Sequence, residues 1–441
     1  MVSSLIWPLL ASIVSARVVD LTTKESTSPS LDVRPGTVTG SASATWNQNI
    51  ELLTDIQIAD KTFKVVLDTG SADMWLFCTS GSDSMETGRD AYNPVTGTRV
   101  NGSDGKAASF NIKYGKGFAE GSVYTDKVTL GGLTVDQAIG CATSVSQDDI
   151  NDRNMDGLIG MAFNSGGENL PTGLSQTSTA TKSALNSDGD SVTTQGGGFL
   201  GLFKSDKPNA QNTFMENAYS ELKAGLFTVD IRQKQDGAYN FGYVDSTRFS
   251  TPLTYMPVQN WHHWVVQSSG YSIGATATTQ VNKVLIDTGT TNIMVTTDIA
   301  KKYFAMVPKA AAMDSSNWNV PCDAGTMMPD LTFTFTPPPA TGATSFPEGS
   351  GGSSQMVYNA IVPGSLLIGN LSGKNDGMCQ ATLSASDKND SWDLILGDAF
   401  LKGQLVVFDM AGVNGYTGQE YPERGQIGFS QKPEFAEELT N

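Results

Sequence analysis

Val65-Val66-Leu67-Asp68-Thr69-Gly70-Ser71 returns later in the chain as Val284-Leu285-Ile286-Asp287-Thr288-Gly289-Thr290, its acid 219 positions after the first (68 to 287). Each copy is an unbroken apolar run, the pattern of a strand covered on both faces. Each run ends on an acid followed by Thr and Gly, a turn signal. A second element repeats downstream. Gly160, ending Leu158-Ile159-Gly160, stands 92 positions beyond Asp68, and Gly397, ending Ile395-Leu396-Gly397, stands 110 beyond Asp287. A lone Asp-Thr-Gly would arise by chance in roughly one chain in ten of this length at average composition. Two copies with matched flanks and matched downstream partners are a repeat, with a spacing far beyond the short periods of solenoids. The repeat divides the chain into two similar halves, each carrying one acid on a tight turn, related by a pseudo-twofold axis with a cleft between them.

The remainder of the sequence fits a mostly β chain. Its 441 residues include 46 Gly, above the usual fraction of about 7%. Short apolar runs such as Phe63 to Leu67 alternate with turn-rich loops at Ser80–Lys106, Ser187–Gly198 and Thr341–Gln355. Helical periodicity is confined to Phe214–Lys223 and to Thr297–Met306, the latter followed by Pro308. Many short strands with few helices imply stacked β layers.

Charge and composition exclude several functions. There are 28 Lys and Arg against 45 Asp and Glu, a net charge of −17, and no basic run. Such a surface repels a phosphate backbone, so nucleic acid is not expected as a partner. The 2 histidines, His262 and His263, are adjacent, which argues against a His-bound metal or a histidine-based catalyst. No metal and no cofactor are expected. Gly270-Tyr271-Ser272-Ile273-Gly274 matches the nucleophile-elbow pattern of serine hydrolases, but in those enzymes the histidine follows the serine, and here both precede it. Gly115-Lys116-Gly117 with Gly121 fits neither the dinucleotide nor the phosphate-loop pattern. Nothing but two carboxylates favours a glycosidase.

Residues 1–16 read as a signal peptide: an apolar stretch from Leu5 to Val14 precedes Ser15-Ala16, small residues suited to cleavage, although a basic leading segment is missing. The stretch is too short to span a bilayer, no later run approaches about 18 apolar residues, and no membrane association is expected. Residues 17–37 are polar and read as a short pro-segment or linker, residues 38–225 as an N-terminal lobe with the first acid, and residues 226–441 as a C-terminal lobe with the second. Secretion suits the four widely spaced cysteines, Cys78, Cys141, Cys322 and Cys379, which contain no C-x-x-C pair and allow three pairings. Glycosylation sequons begin at Asn101, Asn370 and Asn389.

Two carboxylates brought together by a twofold axis cannot both ionise cheaply, so they share a proton. One then acts as base and the other as acid at the same pH, which lets the pair deprotonate a water and protonate a carbonyl oxygen. Gly70 and Gly289 let backbone approach the carboxylates, and Ser71 and Thr290 put hydroxyls within reach of their outer oxygens.

On these motifs the chain resembles the pepsin-type aspartic proteases, and most of all the secreted fungal members, from about Ser41 to Lys432. The shared-proton dyad is a standard property of that family. The resemblance implies a bilobal β fold and a monomeric, acid-active endopeptidase acting on polypeptides, inhibited by pepstatin-type compounds. It implies that Asp68 and Asp287 are the catalytic pair, that Thr69 and Thr288 cross-link the two loops, and that Ser71 and Thr290 orient the carboxylates. Ile112 to Phe118, with Tyr114, Gly115 and Lys116, resembles the β-hairpin flap that closes over substrate, and Trp75 would be the hydrogen-bonding partner of Tyr114. Some fungal relatives carry an acid at the position of Lys116 that favours Lys in the substrate. A cation there, with bulky Phe118 nearby, implies poor cleavage after Lys or Arg and a preference for apolar residues on both sides of the bond; the alternative is that Lys116 faces solvent. The resemblance places Cys322 and Cys379 at the C-terminal-lobe disulfide of the relatives and leaves Cys78 with Cys141, although Cys78 departs from the family's usual position. Residues 17–37 are shorter than the usual pro-segment. A catalytically inactive relative that binds proteins or glycans is the alternative; such proteins lose one Asp-Thr-Gly or the flap tyrosine, and here Tyr114 and both triplets are present. A vacuolar destination is a second alternative to secretion.

Overall fold

The computed structural model describes residues 36–47, 51–81, 89–101, 106–114, 117–146, 154–163, 184–185, 191–192, 211–233, 235–259, 262–336, 357–371, 377–386, 391–410 and 425–433. The loop segments Ser187–Gly198 and Thr341–Gln355 lie largely or wholly outside these residues, as do the signal and pro-segment readings up to residue 35.

Both apolar heptads form strands. Lys61–Asp68 runs parallel to Gly157–Gly160, with Leu67 opposite Ile159 and Asp68 opposite Gly160. Gly157–Gly160 is antiparallel to Met74–Phe77, which in turn runs parallel to Leu133–Val145. The second half repeats this sequence of pairings. Asn282–Ile286 runs parallel to Leu394–Leu396, which is antiparallel to Ile293–Val295, itself parallel to Leu383–Ala385. In each half the downstream apolar element therefore lies between the acid's own strand and the strand that follows the acid. Val65, Leu67, Val284 and Ile286 are fully buried, which is why these runs show no alternation.

The halves meet in one 14-stranded sheet. Its centre pairs Gly40–Asn47 with Gly237–Phe241, which pairs with Leu226–Asp230, then Gln404–Asp409 and Gln426–Gln431. Aromatic side chains fill the layer over this centre: Phe227 stacks on Phe408 at 4.7 Å, and Trp264 meets both. Disulfides join Cys78 to Cys141 and Cys322 to Cys379.

The helical segments are shorter than the periodicity suggests. Phe214–Ala218 is α-helical and continues as a 3₁₀ turn, Tyr219–Glu221. Its start is a capping box in which Thr213 and Glu216 satisfy each other's backbone N–H. The second helix is Thr297–Phe304 and closes on Ala305, short of Met306.

Candidate active site

The strand ends place Asp68 and Asp287 face to face, each in a turn built the same way. The Gly70 amide donates to Asp68 Oδ1 at 2.8 Å, and the Ser71 hydroxyl donates to Asp68 Oδ2. The Gly289 amide donates to Asp287 Oδ1 at 2.8 Å, and the Thr290 hydroxyl to Asp287 Oδ2 at 2.6 Å. Each glycine also makes room for the opposite carboxylate. A Cβ on Gly70 would stand 2.6 Å from Asp287 Oδ1, and one on Gly289 would stand 2.4 Å from Asp68 Oδ1, distances no side chain tolerates.

The carboxyl groups lie within hydrogen-bonding reach of each other and are only 6% and 7% exposed. Burial, and then the charge of Asp287, push the Asp68 carboxyl well above the ordinary carboxylate range.

Beneath the carboxylates the two threonines interlock. Thr69 N donates to Thr288 Oγ1 and Thr288 N to Thr69 Oγ1, both at 3.0 Å. The hydroxyls then reach across to the opposite strand: Thr69 Oγ1 donates to Ile286 O at 2.8 Å and Thr288 Oγ1 to Leu67 O at 2.5 Å. Four buried, direct hydrogen bonds thus join the loops.

Ser109–Lys113 and Phe118–Leu130 form an antiparallel hairpin with Lys113 opposite Phe118. Its turn is closed by the Tyr114 amide donating to Gly117 O at 3.0 Å, with Gly117 at a positive φ of 89° that favours glycine. Gly115 and Lys116 lie outside the described residues. Trp75, nearly fully buried, donates its indole N–H to the Tyr114 hydroxyl at 2.8 Å, so hairpin and first Asp loop are tied by one bond. Tyr114 packs on an apolar cluster that includes Phe110, Ile112, Ala119 and Met155.

Several residues near the carboxylates escaped the sequence reading. Asp156 accepts the Lys64 amide at 2.8 Å, and Asp393 accepts the Lys283 amide at 2.8 Å. Each of these acids stands four positions before its glycine, Gly160 or Gly397, and each amide four before its loop acid. That shared offset was the available signal. Asp398 is buried directly after Gly397; burial raises its carboxyl well above the ordinary range, while Lys402 opposes the shift and Asp287 adds to it. Tyr239, on the central sheet, has its hydroxyl pKa raised by burial and then by Asp398. No offset or repeat marks these two. Among the described residues no group of three or more His, Cys, Asp or Glu is placed to hold a metal ion.

The family model of the eukaryotic aspartyl proteases matches this chain over residues 52–169 and 171–414. The chain belongs to that family. It is 31% identical over 386 residues to penicillopepsin-2 of Penicillium janthinellum, covering 86% of this chain and 81% of that protein. It is 32% identical over 379 residues to aspergillopepsin-1 of Emericella nidulans, covering 85% and 79%. Against penicillopepsin-1 of Penicillium rubens the identity is 30% over 395 residues, covering 88% and 83%. The fold described above is accordingly the pepsin-like one, and the chain is an aspartic endopeptidase by family.

Proposed function

We propose that this endopeptidase works through Asp68 and Asp287 as a pair that shares one proton. The observation that carries the reading is the reciprocal geometry of the two loops, which aims four donors at two nearly buried carboxylates and leaves them close enough to compete for a proton. Burial and the neighbouring charge of Asp287 raise the Asp68 carboxyl, which favours one proton held on the pair. The unprotonated member takes a proton from a water held between the carboxyls as the water attacks the scissile carbonyl carbon, and the protonated member gives its proton to the carbonyl oxygen. Collapse of the tetrahedral intermediate transfers a proton to the departing amine and breaks the C–N bond. The glycine amides on Oδ1 and the hydroxyls on Oδ2 stabilise the anionic member throughout.

The hairpin bearing Tyr114 acts as the flap, and the Trp75 bond sets its resting height. A Gly-rich tip suits opening for a peptide and closing against water. Polypeptides are the substrates, cleaved at acid pH with apolar residues preferred beside the bond and Lys or Arg disfavoured before it by Lys116. The protein acts as a secreted monomer, with residues 1–16 removed as signal, residues 17–37 as a short pro-segment, and lobes at 38–225 and 226–441.

Hydrolysis of a denatured protein from acid to neutral pH, with and without pepstatin, tests this reading against Asp287→Asn. Acid activity abolished by both the inhibitor and the substitution is expected. A folded, processed protein without activity would instead mark a binding protein of the same fold, and an Asp287→Asn protein that still cleaves would overturn the dyad.

A further inference from the structure

The interlocked threonines lie where the two loops meet, one from each half. The shared sheet also joins the halves. Besides the sheet and this joint, the structure contains a further link between the two loop acids. The Met161 amide donates to the carbonyl of Asp68 at 2.7 Å. The Met161 carbonyl accepts the indole N–H of Trp264 at 3.0 Å. The Trp264 carbonyl accepts the amide of Ile286 at 3.0 Å, and Ile286 immediately precedes Asp287. Three hydrogen bonds through one side chain therefore connect the backbone of one loop acid to that of the other.

The indole is well placed to be stiff. Trp264 is completely buried, tilted against Phe163 at 4.3 Å from the first half, and meets Phe227 at 5.9 Å and Phe408 at 5.0 Å from the shared sheet. Its N–H has one acceptor and no access to water, so displacing the ring leaves a buried donor and a buried carbonyl unpaired.

The link is one-sided. By the registers Val265↔Leu285 and Leu53↔Val66, Leu52 holds the place opposite Leu67 that Trp264 holds opposite Ile286, and leucine has no donor. The amide of Asp398, which follows Gly397 as Met161 follows Gly160, bonds Thr290 O instead of the carbonyl of its own loop acid.

We propose that Trp264 is a positioning residue for peptide hydrolysis, a strut that fixes the spacing of the two carboxyls by coupling Asp68 to Asp287 through Met161 and Ile286. The inference rests on the dyad reading above. Misplacing reacting groups by about an ångström can lower a rate about 100-fold. Loosening the pair also weakens the coupling that separates its two apparent pKa values, so the limbs of the pH profile draw together.

Trp264→Phe, which keeps an aromatic ring and deletes the donor, is compared with wild type on a chromogenic peptide, with rates normalised to the folded fraction from near-ultraviolet circular dichroism. The expected result is kcat lower by about 10- to 100-fold, KM within about twofold, and a narrowed pH profile. An unchanged kcat per folded molecule with an unchanged profile overturns the strut, while Asp287→Asn, run beside it, reports separately on the dyad. Should Trp264→Phe not fold, hydrogen exchange on the wild-type protein decides. The indole N–H of Trp264 and the amides of Met161 and Ile286 are expected to exchange together and to slow together when pepstatin binds. Independent rates would overturn the coupling.

Discussion

Around Asp68 the carboxylate accepts from Gly70 and Ser71, and around Asp287 it accepts from Gly289 and Thr290, with both amide bonds at 2.8 Å. One step behind, Asp156 and Asp393 receive the amides of Lys64 and Lys283 at the same distance. The halves diverge only where they meet different surroundings. Trp75, seven residues after the first acid, bonds the hairpin residue Tyr114, whereas Met294, seven after the second, lies in strand Ile293–Val295 opposite Ile395. Met161 follows Gly160, but Asp398 follows Gly397. Trp264 has Leu52 as its counterpart. The repeated part holds the two acids alike, and the unrepeated part gives them different surroundings.

The largest break in this comparison is removal of either carboxylate. Asp68→Asn and Asp287→Asn are each expected to lower kcat/KM by about 10³-fold or more, and the double variant to be little worse, because the two act as a unit. Steady-state hydrolysis of a peptide measures this; a large difference between the single variants would mean that the acids do not share one task.

Next come the pH limits, which the two halves do not share. His263, adjacent to Trp264, is buried against Trp392 with ring centroids 5.0 Å apart, and burial, then His262, push its pKa down to about 4. The neutral form is favoured in the fold, so the contribution is complete above the ordinary value near 6.5 and is lost as pH falls toward about 4, amounting to up to about 3 kcal/mol. In an Asp287→Asn background, where self-digestion is absent, His263→Phe should flatten the acid side of the unfolding midpoint against pH; an unaltered slope would refute it. Asp398 acts in the opposite sense. Its carboxyl is raised by burial, so its contribution is present at low pH and is lost as pH rises through its elevated value. Lys402, Asp287 and Tyr239 are the titratable groups that interact with it. Asp398→Asn should therefore shift the alkaline unfolding limit upward, and Met161, its counterpart, should contribute no such step.

A smaller effect tests the symmetry itself. Thr69→Ala and Thr288→Ala each orphan a buried amide and a buried carbonyl, at about 2 kcal/mol apiece in urea unfolding. The two should be nearly equal and less than additive together, since the hydroxyls touch each other, Thr288 Oγ1 lying 3.5 Å from Thr69 Oγ1. Unequal costs would show that the joint is carried by one half. Smallest is Trp75→Phe, which loses the Tyr114 bond for about 1 kcal/mol and so about fivefold in kcat/KM. Met294→Leu, at the corresponding place, should leave the rate within about twofold.

The loops were legible in the sequence because a repeat supplies its own control: Asp68 with Asp287, and Gly160 with Gly397, could be matched against each other without a structure. The strand through Phe63–Leu67 followed from its apolar run, and the hairpin from the resemblance of Ile112 to Phe118 to the family's flap. The unrepeated features were hidden for the same reason. Trp264 draws its partners from Met161, Ile286, Phe227 and Phe408, which are scattered over the whole chain. Asp398 looks in sequence like any acid opening a short helix; only burial beside Asp287 distinguishes it. Helix Phe214–Ala218 ended early because its apolar period continues into a 3₁₀ turn that periodicity cannot tell from α.

The central sheet governs the order in which the molecule can be built. Ser41 and Asn240, neighbours across it, are 199 positions apart, and Leu226–Asp230 beside them still requires Gln404–Asp409, which requires Gln426–Gln431. At roughly 5–20 residues per second on the ribosome, the first strand waits on the order of ten seconds for its partner. The sheet is completed only when the tail of the chain arrives. Until then the nascent protein carries open strand edges, and contacts this distant in sequence make for slow folding. A chain that stopped short of Gln426 would lose the strand that joins Thr254–Pro257 to Gln404–Asp409, so the end of the message completes a sheet that the beginning opens.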